Sequence, residues 1–211
     1  MARPKRSGGK AKALTREEIK RVDKCLTGTS TEQRDRLFLY LGLGSGMRIG
    51  ELSQLTVGQV APFGSVLNQI ILEKHATKEG RSRTVFLSPQ AVQQLKIYLD
   101  HLPTIPHVGR LIERRGTLDP SFPLFWSQKK KFNSVSPNTG AKILTRMFQQ
   151  AGVSGASSHS LRRTHANNLR RLGADLKLIQ EQLGHSSLAI TERYFEVDPL
   201  EKSAALAKLR F

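Results

Sequence analysis

The sequence predicts a mainly helical α+β protein with one small antiparallel β-hairpin, on three observations. Apolar residues recur at three- and four-residue spacing in most segments, the pattern of helices that bury one face. Helix starts are marked by Thr15-Arg16-Glu17-Glu18, Ser88-Pro89 and Ser136-Pro137, a capping box and two caps followed by a first-turn proline. Two runs, Val66 to Glu73 and Arg83 to Leu87, are β-like and are joined by a short polar segment, which reads as a hairpin.

Taken in order, Met1 to Ala13 holds Arg3, Lys5, Arg6, Lys10 and Lys12 among Pro4, Gly8 and Gly9. It reads as a flexible basic tail, equally an arm on DNA phosphates or a solvated terminus. The capping box opens a helix through Leu26. Thr29 to Thr31 leads into a helix with Leu37, Phe38 and Leu41 as core, ended by Gly44-Ser45-Gly46; Arg48 stands just past that break. A second short helix holds Glu51, Leu52 and Leu55, and Pro62-Phe63-Gly64 makes a turn. The hairpin loop from Lys74 to Arg81 is cationic. From Ser88-Pro89 a helix turns Val92, Leu95 and Leu99 inward. Leu102 to Pro123 is broken by Pro103, Pro106, Gly109, Gly116 and Pro120 and reads mostly as loop. Leu124-Phe125-Trp126 is a candidate short strand. Gln128 with Lys129, Lys130 and Lys131 forms a basic turn, either a phosphate contact or a solvated loop. Ser136-Pro137 opens a helix with Ala141, Leu144, Phe148 and Ala151 on one face, and Asp198-Pro199 starts a last short helix.

The chain has 211 residues, enough for one domain of ample core or two small ones. Its 34 Lys and Arg against 17 Asp and Glu give a net charge of +17. Such an excess repels itself in a compact chain and favours a polyanionic partner, with nucleic acid first. A lone Cys25 excludes an intrachain disulfide and suits a reducing compartment. No apolar run could span a bilayer, and the basic amino terminus lacks the apolar stretch of a signal peptide.

The chemistry-bearing residues concentrate between His159 and Tyr194. Leu161, His165, Leu169 and Leu172 recur at helical spacing; Ser158 can cap that helix, and Gly173 fits the left-handed residue after it. His159 and Arg162 lie three apart, so they project along one edge. A second helix starts near Asp175, buries Leu176, Ile179 and Leu183, and stops at Gly184, leaving His185 at a helix-to-turn junction. Ser186 or Ser187 then caps a short helix carrying Tyr194. His165 falls on the apolar face and reads as a core or network histidine. His75, His101 and His107 lack partners at ligand spacing, so no metal site is argued.

His159-Ser160-Leu161-Arg162, Leu183-Gly184-His185 and Tyr194 nine residues further on resemble the signature of the tyrosine recombinase, or phage integrase, family. Upstream, Gly46-Met47-Arg48-Ile49-Gly50-Glu51-Leu52 is similar to that family's first box. The likeness runs from about Thr15 to Leu200 and implies the tyrosine recombinase catalytic-domain fold. It also implies site-specific cleavage and rejoining of duplex DNA through a 3′-phosphotyrosyl intermediate. Tyr194 would be the nucleophile, and Arg48 and Arg162 would share one phosphate. Lys78 matches the general acid, with Lys74 the runner-up. His159 would assist proton transfer, His185 would donate to the phosphate, and Glu51 would orient or neutralise neighbouring cations.

These residue types suit that reaction. A nucleophile must approach an anion while charge grows on the non-bridging oxygens, so catalysis is mostly positioning and charge stabilisation. Arginine binds two phosphate oxygens with a planar fork that keeps its proton. A free phenol ionises near pH 10 and needs cations and a proton acceptor to attack at neutral pH. No metal, ATP or other cofactor is called for. Lys74, Arg81, Lys129, Lys130, Lys131 and Arg163 are candidate DNA-backbone contacts.

The expected organisation is a tail over residues 1–13, a catalytic domain over 14–198 and a carboxyl-terminal helix or tail over 199–211. That last segment either packs on its own protomer or docks on a neighbour. Arg48 comes too early for the family's amino-terminal core-binding domain to precede it, in which respect the chain resembles small fimbrial-type invertases. The resemblance implies a homotetramer on two DNA sites, in the cytoplasm or nucleoid of a prokaryotic or phage-carrying host, and leaves the need for accessory DNA-bending proteins open. Two rival readings share these residues: a type IB topoisomerase-like relaxer, and a DNA-binding accessory factor that has lost activity.

Overall fold

The computed structural model describes residues 11–73, 80, 82–127 and 132–195, together with 203, 206, 207 and 210. The order is α1 (Arg16–Leu26), α2 (Glu32–Ser45), α3 (Ile49–Ser53), α4 (Val57–Val60), β1 (Gln69–Leu72), β2 (Arg83–Phe86), α5 (Pro89–His101), α6 (Pro106–Arg115), α7 (Pro137–Gln150), α8 (Ser158–Arg171), α9 (Leu176–Leu183) and α10 (Leu188–Glu192). The predicted class, mainly helical with one antiparallel hairpin, is the observed one.

Local chemistry sets most boundaries. Thr15 and Glu18 form the capping box of α1. Ser88 and Ser136 cap α5 and α7, accepting from the Ala91 and Thr139 N–H groups, each ahead of a first-turn proline. α2 is buried nearly all round: Leu37, Phe38, Leu39 and Leu41 are each fully enclosed. It packs most extensively on α5 and α8, and the Phe38 and Phe125 rings stack at 3.7 Å. Each such side chain removed from water contributes about 1.5 to 3 kcal/mol, so α2 is the post on which the other helices, and the site, are mounted.

The hairpin pairs Gln69 with Phe86, Ile70 with Val85, Ile71 with Thr84 and Leu72 with Arg83. Ile70, Leu72 and Val85 face the core. Alternation puts Arg83 on the same inward face as Val85. The free edge of β2 is closed by a side chain: the Phe86 N–H donates to Gln182 Oε1, and Gln182 Nε2 donates to the Phe86 carbonyl at 2.8 Å. Gln182 Nε2 also donates to the Ser45 carbonyl, so one amide joins β2, α9 and the end of α2.

Several local expectations are corrected. Leu102 to Pro123 is not mostly loop: a 3-10 turn (Leu102–Thr104) leads into α6, where Pro106 occupies the first turn and Gly116 takes the left-handed position after it. Leu124 to Trp126 forms no strand, only an isolated bridge from Trp126 to Ser134. Ser157, not Ser158, caps α8, and Leu172 is exposed at its end rather than buried. Tyr194 lies two residues past the end of α10 instead of within it. The basic tail over 1–10, the loop bearing Lys74, Lys78 and Arg81, the turn of Lys129, Lys130 and Lys131, and most of 199–211 lie outside the described residues. No helix among the described residues is long and apolar enough to cross a membrane.

Candidate active site

Arg48, Glu51, Arg162, His185 and Tyr194 are brought together by the ends of α2 and α9. Both helices finish on a left-handed glycine, Gly46 at φ 67° and Gly184 at φ 64°, a conformation glycine reaches without cost. Their last carbonyls, left without partners inside the helix, face the two guanidinium groups. Arg162 Nη1 donates to the Gly46 carbonyl and Nη2 to the Leu183 carbonyl, each at 2.7 Å. Arg48 Nη2 donates to the Gly184 carbonyl at 3.1 Å. Neither glycine could carry a side chain in place: a Cβ at Gly46 would lie 2.7 Å from both His165 and Leu183, and one at Gly184 2.6 Å from Arg83.

Arg162 is only 2% exposed. Burial lowers its pKa to about 10; Tyr194 beside it favours the charged form, and Arg48 disfavours it. The guanidinium therefore stays positive at neutral pH, and its buried Nε has no partner among the described residues. Arg48 caps the start of α3, where its N–H donates to Glu51 Oε2 at 2.7 Å. Its Nη1 lies 3.3 Å from Glu51 Oε1.

Glu51 is 3% exposed and sits between two arginines. Burial alone would raise its pKa, but hydrogen bonds and charge from Arg83, the Arg48 N–H and the Arg162 charge bring it below the usual carboxylate value. It is the shared counter-charge of Arg48 and Arg83, and no group of His, Cys, Asp and Glu among the described residues could hold a metal ion.

His185 is buried directly after Gly184. Its Nδ1 lies 2.9 Å from Thr191 Oγ1, and its ring tilts against Tyr194 with centroids 4.9 Å apart. Burial, then the charges of Arg162, Arg48 and Arg83, push its pKa down to about 3, so the ring is neutral at pH 7. His165 is buried against Gly46, a core or network histidine as the apolar-face reading implied. Its Nδ1–H donates to the Leu43 carbonyl at 2.8 Å, and its buried Nε2 has no partner among the described residues. Burial depresses its pKa to about 4. His159 is exposed on the first turn of α8, one turn before Arg162.

Two arginines depart from the sequence reading. Arg163, expected to face DNA, is 7% exposed. Its Nε donates to the Tyr194 carbonyl and its Nη1 to the Ala11 carbonyl, because the residue after Arg162 is carried round the helix onto α8's packed side. Arg83 was missed altogether. It opens β2, with its side chain against Gly184, and donates Nη1 and Nη2 to the two oxygens of Glu51. The available signal was a cation at an inward-facing strand position.

Residues 12–201 match the model of the phage integrase family. The chain is 30% identical over 186 residues to tyrosine recombinase XerA of Pyrococcus furiosus, covering 88% of this chain and 57% of that protein. It is 31% identical over 178 residues to tyrosine recombinase XerC of Pelobacter propionicus, covering 82% of this chain and 52% of that one. It thus spans a little over half the length of these relatives. A crystal structure of XerA recombinase superposes with a TM-score of 0.72 at 24% identity, over 94% of this chain and 66% of that one. The post-cleavage complex of XerH site-specific recombinase on a palindromic difH substrate gives 0.69 at 25% identity, over 96% and 55%. With Arg48, Glu51, Arg162, His185 and Tyr194 gathered in one cluster and nearly the whole chain matched, this protein belongs to the phage integrase family.

Proposed function

We propose that this chain cleaves and rejoins duplex DNA as the catalytic part of a site-specific tyrosine recombinase. The single observation that carries the reading is the buried cluster in which two fixed guanidinium groups, a neutral histidine and a phenol converge. Glu51 is one carboxylate against Arg48, Arg83 and Arg162, which leaves a positive excess that a bound anion would offset. A phosphodiester supplies that anion, and Tyr194, beside Arg162 and His185, is the attacking group of this reading.

In the proposed reaction Arg48 and Arg162 clamp the non-bridging oxygens. Backbone carbonyls hold both forks, so little reorganisation is needed as charge develops. With the Thr191 hydroxyl donating to Nδ1, His185 keeps its proton on Nε2 and through it donates a hydrogen bond to the phosphate. Attack by the Tyr194 oxygen forms the phosphotyrosyl bond and breaks the bond to the 5′ oxygen. Lys78, with Lys74 as the alternative, protonates that oxygen, while His159 on the rim takes the phenolic proton. The covalent link conserves the bond's energy, so a 5′-hydroxyl can reverse the step unaided.

The relatives' names support the recombinase reading, as do structures of recombinases on DNA. Assembly as a tetramer on two sites, docking of residues 199–211 on a neighbour, DNA contacts by Lys74, Arg81 and Lys129 to Lys131, and a kinship with fimbrial-type invertases belong to the same proposal. A suicide duplex, nicked so that the cleaved end diffuses away, tests it: a detergent-resistant protein–DNA adduct is expected. Intact binding without an adduct would overturn the reading in favour of an inactive accessory factor. Relaxation of supercoiled plasmid without recombinant product would instead favour the topoisomerase-like alternative.

A further inference from the structure

We propose that Arg163 is a positioning residue for the nucleophile, fastening the main chain of Tyr194 to the amino-terminal segment at Ala11. The inference rests on the strand-transfer reading, since it assigns Arg163 a part in that reaction. Arg163 Nε donates to the Tyr194 carbonyl at 3.1 Å and Nη1 donates to the Ala11 carbonyl at 2.9 Å. One planar fork therefore spans two carbonyls from opposite ends of the described chain, with a rigidity lysine lacks.

The Ala11 end of this strap is anchored to the body of the protein. The Lys12 N–H donates to the Gly155 carbonyl, and the Leu14 N–H donates to Thr164 Oγ1 at 2.7 Å. Thr164 is the next residue of α8, and its hydroxyl in turn donates to the Ser160 carbonyl. Among the described residues the Tyr194 end is held more lightly by its own helix. α10 is five residues long and Ser187 gives it no side-chain cap, too short a helix to fix its own continuation. Past it the local bonds are the turns from the Tyr194 N–H to Thr191 and from the Phe195 N–H to Glu192. Tertiary contacts must therefore set where the phenol stands. Arg170 lies 5.1 Å over the Phe195 ring and the His185 ring abuts Tyr194, but these grip side chains. Arg163 grips the backbone of the nucleophile from a helix that also carries Arg162, so it fixes the phenol relative to the phosphate clamp. A displacement of about 1 Å at a reacting group costs on the order of 100-fold in rate.

The test measures single-turnover adduct formation on the nicked duplex at saturating DNA for the wild type, Arg163→Met and Arg163→Lys. Arg163→Met is expected to slow the adduct on the order of 100-fold, with Arg163→Lys between it and the wild type and DNA affinity unchanged. A companion measurement places Arg163→Met in a Tyr194→Phe background and supplies hydrogen peroxide in place of the phenol. Peroxide-dependent strand cleavage should be unaffected by Arg163→Met, because the guanidinium clamp remains. Wild-type adduct rates in Arg163→Met would overturn the inference. So would an equal loss of the peroxide reaction, which would mark Arg163 as merely structural. If the wild type itself forms no adduct, the strand-transfer reading fails first and takes this inference with it.

Discussion

Arg83 meets Glu51 fork to fork, Nη1 on Oε1 at 2.7 Å and Nη2 on Oε2 at 2.9 Å. The pair joins the first residue of β2 to α3, which Arg48 caps, so the hairpin is tied to the first arginine of the clamp. Its enclosure makes it sensitive: Glu51 is nearly inaccessible, and the buried Arg83 Nε has no partner among the described residues.

Removing one partner should therefore cost more than removing both. Glu51→Met or Arg83→Met alone is expected to destabilise the fold by about 3 to 5 kcal/mol, because an unpaired charge is left buried. The double change to methionines should cost less than the sum of the singles. Urea unfolding midpoints check this, and strictly additive losses would contradict it.

Acid should weaken the fold through its two buried histidines. Folded pKa values of about 3 for His185 and about 4 for His165 lie below the unfolded value of 6.5. Between those limits the unfolded chain binds more protons, so stability is full above pH 6.5 and falls as pH drops towards 4. The slope approaches about 1.4 kcal/mol per pH unit for each histidine. Unfolding titrations of the wild type and His165→Phe between pH 4 and 8 should show a shallower slope for the variant; identical slopes would contradict the assignment.

Gly184→Ala should damage both stability and the site. The left-handed backbone disfavours any side chain by about 1 to 2 kcal/mol, and the new Cβ would displace Arg83. A lower thermal midpoint together with slower adduct formation is expected. Loss of stability with an unchanged adduct rate would show that Arg83 does not report to the clamp.

Thr191→Val keeps the shape beside His185 and removes the hydroxyl at its Nδ1. Losing that hydroxyl should cost about 1 to 3 kcal/mol, roughly fivefold to 160-fold in the cleavage rate. Single-turnover cleavage measures it, with DNA affinity as the control; an unchanged rate would remove Thr191 from the mechanism.

What the sequence made legible was local or carried by motif. Thr15 with Glu18, Ser88-Pro89, Ser136-Pro137, Gly46 and Gly184 mark helix ends by their own chemistry, and each end is found there. The nearness of Arg48 to Arg162, far apart in the chain, could come only from the family's motifs. Proline misled at Leu102 to Pro123, where Pro106 starts a helix instead of breaking one. Arg83, Gln182 and Arg163 act through partners distant in sequence, and neither periodicity nor composition encodes a partner. Arg163 in particular shares its residue type with Arg162, and only packing shows that the two side chains serve different surfaces.

The central claim is that the Tyr194 oxygen becomes bonded to a DNA phosphorus beside Arg48 and Arg162. The most direct measurement is to digest the trapped adduct and identify, by mass spectrometry, the residue that carries the nucleotide and the end to which it is joined. A 3′-phosphate on the Tyr194 peptide, absent from Tyr194→Phe, is the predicted result. A linkage to any other side chain, or an adduct that persists in Tyr194→Phe, would contradict the account.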